Sequence, residues 1–147
     1  MLEITFRQMT PSDIDAVTEL DKKSFGDDAW SRYIFAYETR NLHADYIVAE
    51  FTEKIIACAG MQFYDENAYI TTLAVAAEFR RRGIAKKMLA DLINSAKSYG
   101  AIFITLEVRV NNFPSINLYE KFGFKILERE KNYYADGEDA FIMGLKL

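Results

Sequence analysis

Among 147 residues the chain has one cysteine, one histidine, one tryptophan and two prolines. With Cys58 alone, an internal disulfide is excluded, and nothing points to an oxidising compartment. With His43 alone, a site needing two histidines is excluded, and no metal is expected. No apolar run approaches the ~20 residues that a membrane-spanning helix needs. The opening stretch "MLEITFRQMT" lacks the basic-then-apolar signature of a secretory signal. These absences read as a cytoplasmic protein with no membrane partner. A net charge of −4 argues against a general nucleic-acid binder. The phosphate loops G-x-G-x-x-G and G-x-x-x-x-G-K-[ST] are both missing, which argues against a nucleoside triphosphatase.

What is present is a chain half hydrophobic, enough to bury a core as a single domain over residues 1–147. "LEITFRQM" alternates as a strand. Thr10, Pro11 and Asp13 then form a capping pattern ahead of a helix with Ile14, Val17 and Leu20 on one face. "AWSRYIFAYE" reads as a short helix with Asp28 as its cap. "ADYIVAEF", "KIIACAGMQFY" and "AYITTLAV" read as three strands of an antiparallel meander. From residue 83 to 99, Ile84, Ala85, Met88, Leu89, Leu92, Ile93 and Ala96 make one helical stripe, ended by Gly100. "AIFITLEV" is an unbroken apolar run, so it predicts a strand buried on both faces. "NNFPSINLYEKFGF" is a short helix with Pro114 in its first turn. "KILEREKNYY" and "EDAFIMGLKL" predict a final hairpin turning at "ADG". The order is β-α-α-β-β-β-α-β-α-β-β. It gives an α/β fold whose sheet is mostly antiparallel, with a parallel crossover over residues 68–107.

"EFRRRGIAKKML", residues 78–89, stacks cations where a helix N-terminus is already partly positive. That placement makes sense when an anion sits there. A strand, a loop with Gly83 and a helix aim several N–H groups at one point. Glycine and the small Ala85 let a ligand approach closely. Arginine supplies forked donors that suit phosphate oxygens. The pattern fixes only three positions and is weak by itself.

Longer motifs sharpen the reading. "TTLAVAAEFRRRGIAKKMLADLI" resembles the acetyl-coenzyme A motif [Q/R]-x-x-G-x-[G/A] of the GCN5-related N-acetyltransferase (GNAT) superfamily, through Arg80, Gly83 and Ala85. "LEVRVNNFPSINLYEKFGF" and "NYYADGEDAFIMGL" resemble segments of its ribosomal-protein-alanine N-acetyltransferases. The resemblance implies the GNAT fold and acetyl-CoA as acetyl donor. It implies that Leu73, Ala74 and Val75 hold the acetyl and pantetheine part through main-chain groups. Arg81, Arg82, Gly83, Ile84, Ala85 and Lys86 would wrap the pyrophosphate, and Asn112 would contact the cofactor. Ser115 stands where the family has alanine, and Pro114 precedes it; both suit a first helical turn.

Acetyl transfer to an amine needs a base for the ammonium, donors for the oxyanion and a proton for the thiolate. Glu107 is the candidate base, a carboxylate interrupting the apolar strand "ITLEV". Its structural alternative is a salt bridge to Arg109 or a strand-end carboxylate facing solvent. Tyr119 is the candidate acid, or else a core aromatic. The N–H of Leu73 or Val75 is the candidate oxyanion donor. Tyr133 and Tyr134 line a peptide groove or pack a hairpin, and Trp30 caps that groove or joins the core. Cys58 reads as a buried inert thiol and His43 as a loop residue. With no activated nucleophile, attack would be direct, without an acetyl-enzyme. The resemblance implies an N-terminal peptide of a ribosomal protein as acceptor and partner. A polyamine, an antibiotic amine or a lysine side chain remains open, as does a non-catalytic acyl-CoA-binding module. A monomer or weak dimer is expected.

Overall fold

A computed structural model describes residues 3–147; the expected first strand begins at Leu2, which lies outside the described residues. Seven strands form one sheet in the order β1-β2-β3-β4-β5-β7-β6. They are β1 (Thr5–Gln8), β2 (Ala44–Phe51), β3 (Lys54–Tyr64), β4 (Asn67–Val75), β5 (Phe103–Arg109), β6 (Lys125–Glu130) and β7 (Ala140–Lys146). Four helices accompany them: α1 (Ile14–Phe25), α2 (Arg32–Glu38), α3 (Ile84–Tyr99) and α4 (Phe113–Lys121). All neighbouring strands pair antiparallel except β4 and β5, which α3 links as a parallel crossover. The fold is thus the mixed, mostly antiparallel α/β architecture that the sequence predicts.

Two cores cover the two faces of the sheet. On one face, Ile84, Met88, Leu89, Leu92, Ile93 and Ala96 of α3 pack with Ile104, Leu106 and Val108 of β5 and with Ile116 and Tyr119 of α4. On the other, Ile14, Val17 and Leu20 of α1 and Phe35 of α2 pack on Val48, Cys58 and Ala74. Ala85 departs from the expected stripe: it is only half-buried.

Three expectations need correction. Strand β5 is not buried on both faces. Ile104, Leu106 and Val108 are buried, whereas Phe103, Thr105, Glu107 and Arg109 on the opposite face are half-buried. Its second face borders an open cleft rather than a packed helix. The cap of α2 is Ser31, whose hydroxyl accepts the Ile34 N–H at 3.4 Å, and not Asp28. Asp28 instead ends a 3-10 turn and bonds Arg109. Finally, β6 and β7 pair and the chain does turn at Ala135–Gly137, where Gly137 N–H bonds Tyr134 C=O at 2.8 Å, but β6 stops at Glu130, so the turn is the tip of a loop over residues 131–139 rather than of a strand-to-strand hairpin. Asp139 holds that loop off the ladder by accepting from Asn132 N–H at 2.9 Å and Arg129 Nε at 2.8 Å.

The feature that makes the cleft is a bulge in β4. The β3–β4 register shifts between Gly60 and Met61, so Thr71 is the extra residue. A bulge adds twist and bends the strand. The ring of Tyr46 covers Gly60, where a Cβ would lie 1.9 Å from Tyr46 Cε1. Its hydroxyl lies 2.8 Å from Thr71 Oγ1. Glycine opposite the bulge therefore admits the ring that pins the bulged residue. Beyond it, β4 leaves β5: the two pair only from Asn67–Phe103 to Tyr69–Thr105, although both strands continue.

Candidate active site

The parting of β4 and β5 opens a cleft of ≈ 1270 Å³. The ladder decides which β4 groups face it. The Ala76 N–H bonds Ile56 C=O at 2.8 Å, so Ala74, two residues earlier and paired with Cys58, also turns its main chain to β3. The N–H groups of Leu73 and Val75 therefore face the gap. The Val75 carbonyl is occupied, accepting Arg80 Nε at 3.0 Å. Of the three residues expected to offer main-chain contacts, Leu73 and Val75 present free N–H groups and Ala74 does not.

At one end of the cleft lies the loop into α3. Arg81 (φ 64°) and Gly83 (φ 80°) are both left-handed, which curls the backbone into a concave nest. None of the N–H groups of residues 81–86 donates to a backbone carbonyl of the described chain. They converge at the positive end of a 16-residue helix. A Cβ at Gly83 would meet no protein atom within 4 Å. The positive φ, not protein packing, is what favours glycine there. Arg81, Gly83, Ile84, Ala85 and Lys86 line the cleft, as does Asn112. The Arg82 side chain departs from the expected set: its guanidinium lies 5.5 Å from the Phe79 ring centroid, and it is not part of the lining. Asn112 caps α4 by accepting Ser115 N–H at 3.3 Å, so Ser115 and Pro114 do fit a first helical turn. Its carboxamide nitrogen is the end left for a ligand.

At the other end, Glu107 sits on the half-buried face of β5. Its Oε1 accepts two phenols, Tyr69 at 2.6 Å and Tyr133 at 2.5 Å. Both donors fall on one oxygen, and no side chain of the described residues bonds Oε2 of this cleft-lining residue. Burial foremost, then donation to Glu107, pushes the Tyr133 phenol up to about 12 and raises Tyr69 further. Both phenols are therefore donors near neutral pH. Arg109 does not pair with Glu107; it binds Asp28, Asp136 and Glu138. The salt-bridge alternative for Glu107 is thereby removed.

Tyr119 lines the cleft from α4 and is 7% exposed. Burial pushes its hydroxyl up to about 12, and no side chain of the described residues bonds it. Tyr119 shares the α3 face with Leu106, whereas Glu107 points to the α1 face. The gap thus passes through the sheet, with a carboxylate on one side and a phenol on the other.

Tyr133 and Tyr134 stand on the 131–139 loop, edge to face at 5.0 Å, and both line the cleft. Trp30 lies in the second core, 5.5 Å from Phe35, and also reaches the lining. Cys58 is buried and its thiol is pushed up by burial, so it is inert. His43 bonds Tyr99 across 2.8 Å in a loop that does not line the cleft. Reading the sequence missed Tyr69. The signal exists, since the parallel register sets Tyr69 beside Thr105 and Glu107 follows on the same face of β5, but register is not visible in the chain alone.

A splayed parallel pair flanked by an anion nest, a carboxylate and a phenol suits transfer of a group from a phosphate-bearing carrier. Comparison with known families agrees. Residues 14–124 match the acetyltransferase (GNAT) family, and the chain belongs to it. It is 30% identical over 148 residues to a Salmonella typhimurium protein named [ribosomal protein bS18]-alanine N-acetyltransferase, covering 97% of each chain. It is 30% identical to an N-alpha-acetyltransferase of Saccharolobus solfataricus, over 99% of this chain and 94% of that one. Among solved structures, the ribosomal-protein-S18-alanine N-acetyltransferase of Escherichia coli superposes with a TM-score of 0.88 at 28% identity, covering 98% of this chain and 94% of its own. No helix among the described residues is long and apolar enough to cross a membrane.

Proposed function

We propose that this chain transfers the acetyl group of acetyl-CoA to the N-terminal α-amino group of a protein, with a ribosomal protein beginning in alanine as the acceptor. The observation that carries the reading is Glu107, held by two phenols with one oxygen free, across the gap from Tyr119. The names of the relatives supply the acceptor class. An α-amino group titrates near ~8, so a carboxylate working through one water can take its proton, whereas lysine near ~10.4 is a harder task. The N–H groups of Leu73 and Val75 hold the oxyanion that forms as the amine attacks. Tyr119 gives its proton to the leaving sulfur. The 81–86 amides, with Arg81 and Lys86, hold the diphosphate and so fix the thioester between the strands. The free amides and the left-handed backbone fit a diphosphate, whose oxygens would accept from N–H groups that the protein leaves to solvent.

The test is a panel of acceptors read by release of free thiol. It holds an alanyl peptide of ribosomal sequence, the same peptide N-blocked with an internal lysine, and spermidine. The free alanyl peptide is expected to lead in kcat/KM by about tenfold or more. A lead for the polyamine would replace the acceptor class, and cofactor binding with no turnover on any amine would remove the enzyme reading.

A further inference from the structure

One guanidinium joins three distant parts of the chain. Arg109 ends β5. Its Nη1 donates to Asp136 at 3.0 Å and to Glu138 at 2.9 Å, and its Nη2 donates to Asp28. Its plane lies over the Tyr134 ring, 4.2 Å from the centroid. Asp28 completes the circuit, because its second oxygen accepts the Ala135 N–H at 3.1 Å. The turn between α1 and α2, the end of β5 and the 131–139 loop are therefore tied at one point.

The tie is placed to matter. Glu107 and Arg109 are two apart on a strand and share a face. The 131–139 loop is stitched to that face twice: Tyr133 bonds Glu107, and Asp136, Glu138 and Tyr134 hold Arg109. The side chains of Arg109, Asp28 and Glu138 are only 28%, 20% and 20% exposed, so these arms are weakly screened. The Asp136 arm, at 64%, contributes less. Without the guanidinium, three carboxylates would face one another with no counter-charge. A lysine could not replace it, since one ammonium lacks the planar fork that reaches all three.

We propose that Arg109 is a positioning residue: it locks the α1–α2 turn and the 131–139 loop into one wall on the acceptor side and thereby seats Tyr133 on Glu107. This rests on the acceptor reading above, but its first test does not use an acceptor. In Arg109→Met, amide hydrogen exchange is expected to quicken by about tenfold in residues 26–30 and 131–139 together, with α3 unchanged. In turnover, using whichever amine the parent enzyme acetylates, the acceptor KM is expected to rise about tenfold while coenzyme A affinity stays within about twofold. Arg109→Lys is expected to fall between the two. Asp28→Asn keeps an acceptor for Ala135 but loses the charge; it should shift the same readouts less, and it carries the test if the methionine variant does not fold. Exchange that quickens in one loop only, an unchanged acceptor KM, or a coenzyme A affinity that falls in step with it would overturn the proposal. If both loops loosen while the parent ignores alanyl peptides, the clasp stands and the acceptor reading falls.

Discussion

Glu107→Gln is expected to lower kcat/KM for the acceptor by about 10²–10³ at pH 7, or roughly 3–4 kcal/mol of barrier. The substitution keeps size and can still accept from Tyr69 and Tyr133, so the loop geometry should survive. What it loses is the proton acceptor. The deficit should therefore shrink as pH rises through the amine's own titration near ~8, because an amine that is already neutral needs no base. Initial rates between pH 6.5 and 9.5 check this. A deficit constant with pH would make Glu107 a holder of structure rather than a base.

Tyr119→Phe is expected to reduce kcat by about 10–10² with little change in coenzyme A affinity, since the hydroxyl meets the sulfur only as it leaves. The pH profile adds a second check. With its phenol pushed up to about 12 by burial, Tyr119 keeps its proton through the working range. No loss of kcat from this group is expected below about pH 11. A basic limb near pH 9 that vanishes in the phenylalanine variant would show instead that the phenol titrates in the free range. A variant with full activity would place the acid elsewhere.

Much of the fold was legible because local rules agreed with the global one. The α3 stripe, with glycines at 83 and 100, is written at helical period, and the β2–β4 meander follows from alternation and short turns, whereas the insertion of β7 between β5 and β6 does not. The misreadings arose where tertiary surroundings decided what local preference could not. Asp28 is a good cap by type, but Arg109, 81 residues away, claims its carboxylate, and Ser31 caps α2 instead. The Asp-Gly turn forms, but Asp139 binds Asn132 and ends the ladder early, which turns Tyr133 and Tyr134 from strand residues into cleft residues. The apolar run of β5 concealed that one face is an open wall, because hydrophobicity does not report which neighbour is missing.

The candidate site was legible in its motifs and not in its geometry. Nothing in the chain marks Thr71 as a bulge, yet the bulge and the Tyr46–Gly60 packing behind it accompany the parting of the strands. Tyr69 looks like any strand aromatic until the parallel register brings it to Glu107. Arg109 read as a partner for Glu107 on proximity alone, whereas Asp28, Asp136 and Glu138 outnumber that carboxylate and sit where the fork reaches them.

The central claim is that the unpartnered amides leading into α3 grip a diphosphate and so hold a thioester in the hole through the sheet. A crystal structure with acetyl-CoA tests it directly. Diphosphate oxygens should lie about 3 Å from N–H groups of residues 81–86, with the acetyl carbonyl toward Leu73 and Val75. The sulfur should face Tyr119. A nucleotide lying elsewhere on the surface, with those amides bonded only to water, would contradict the account.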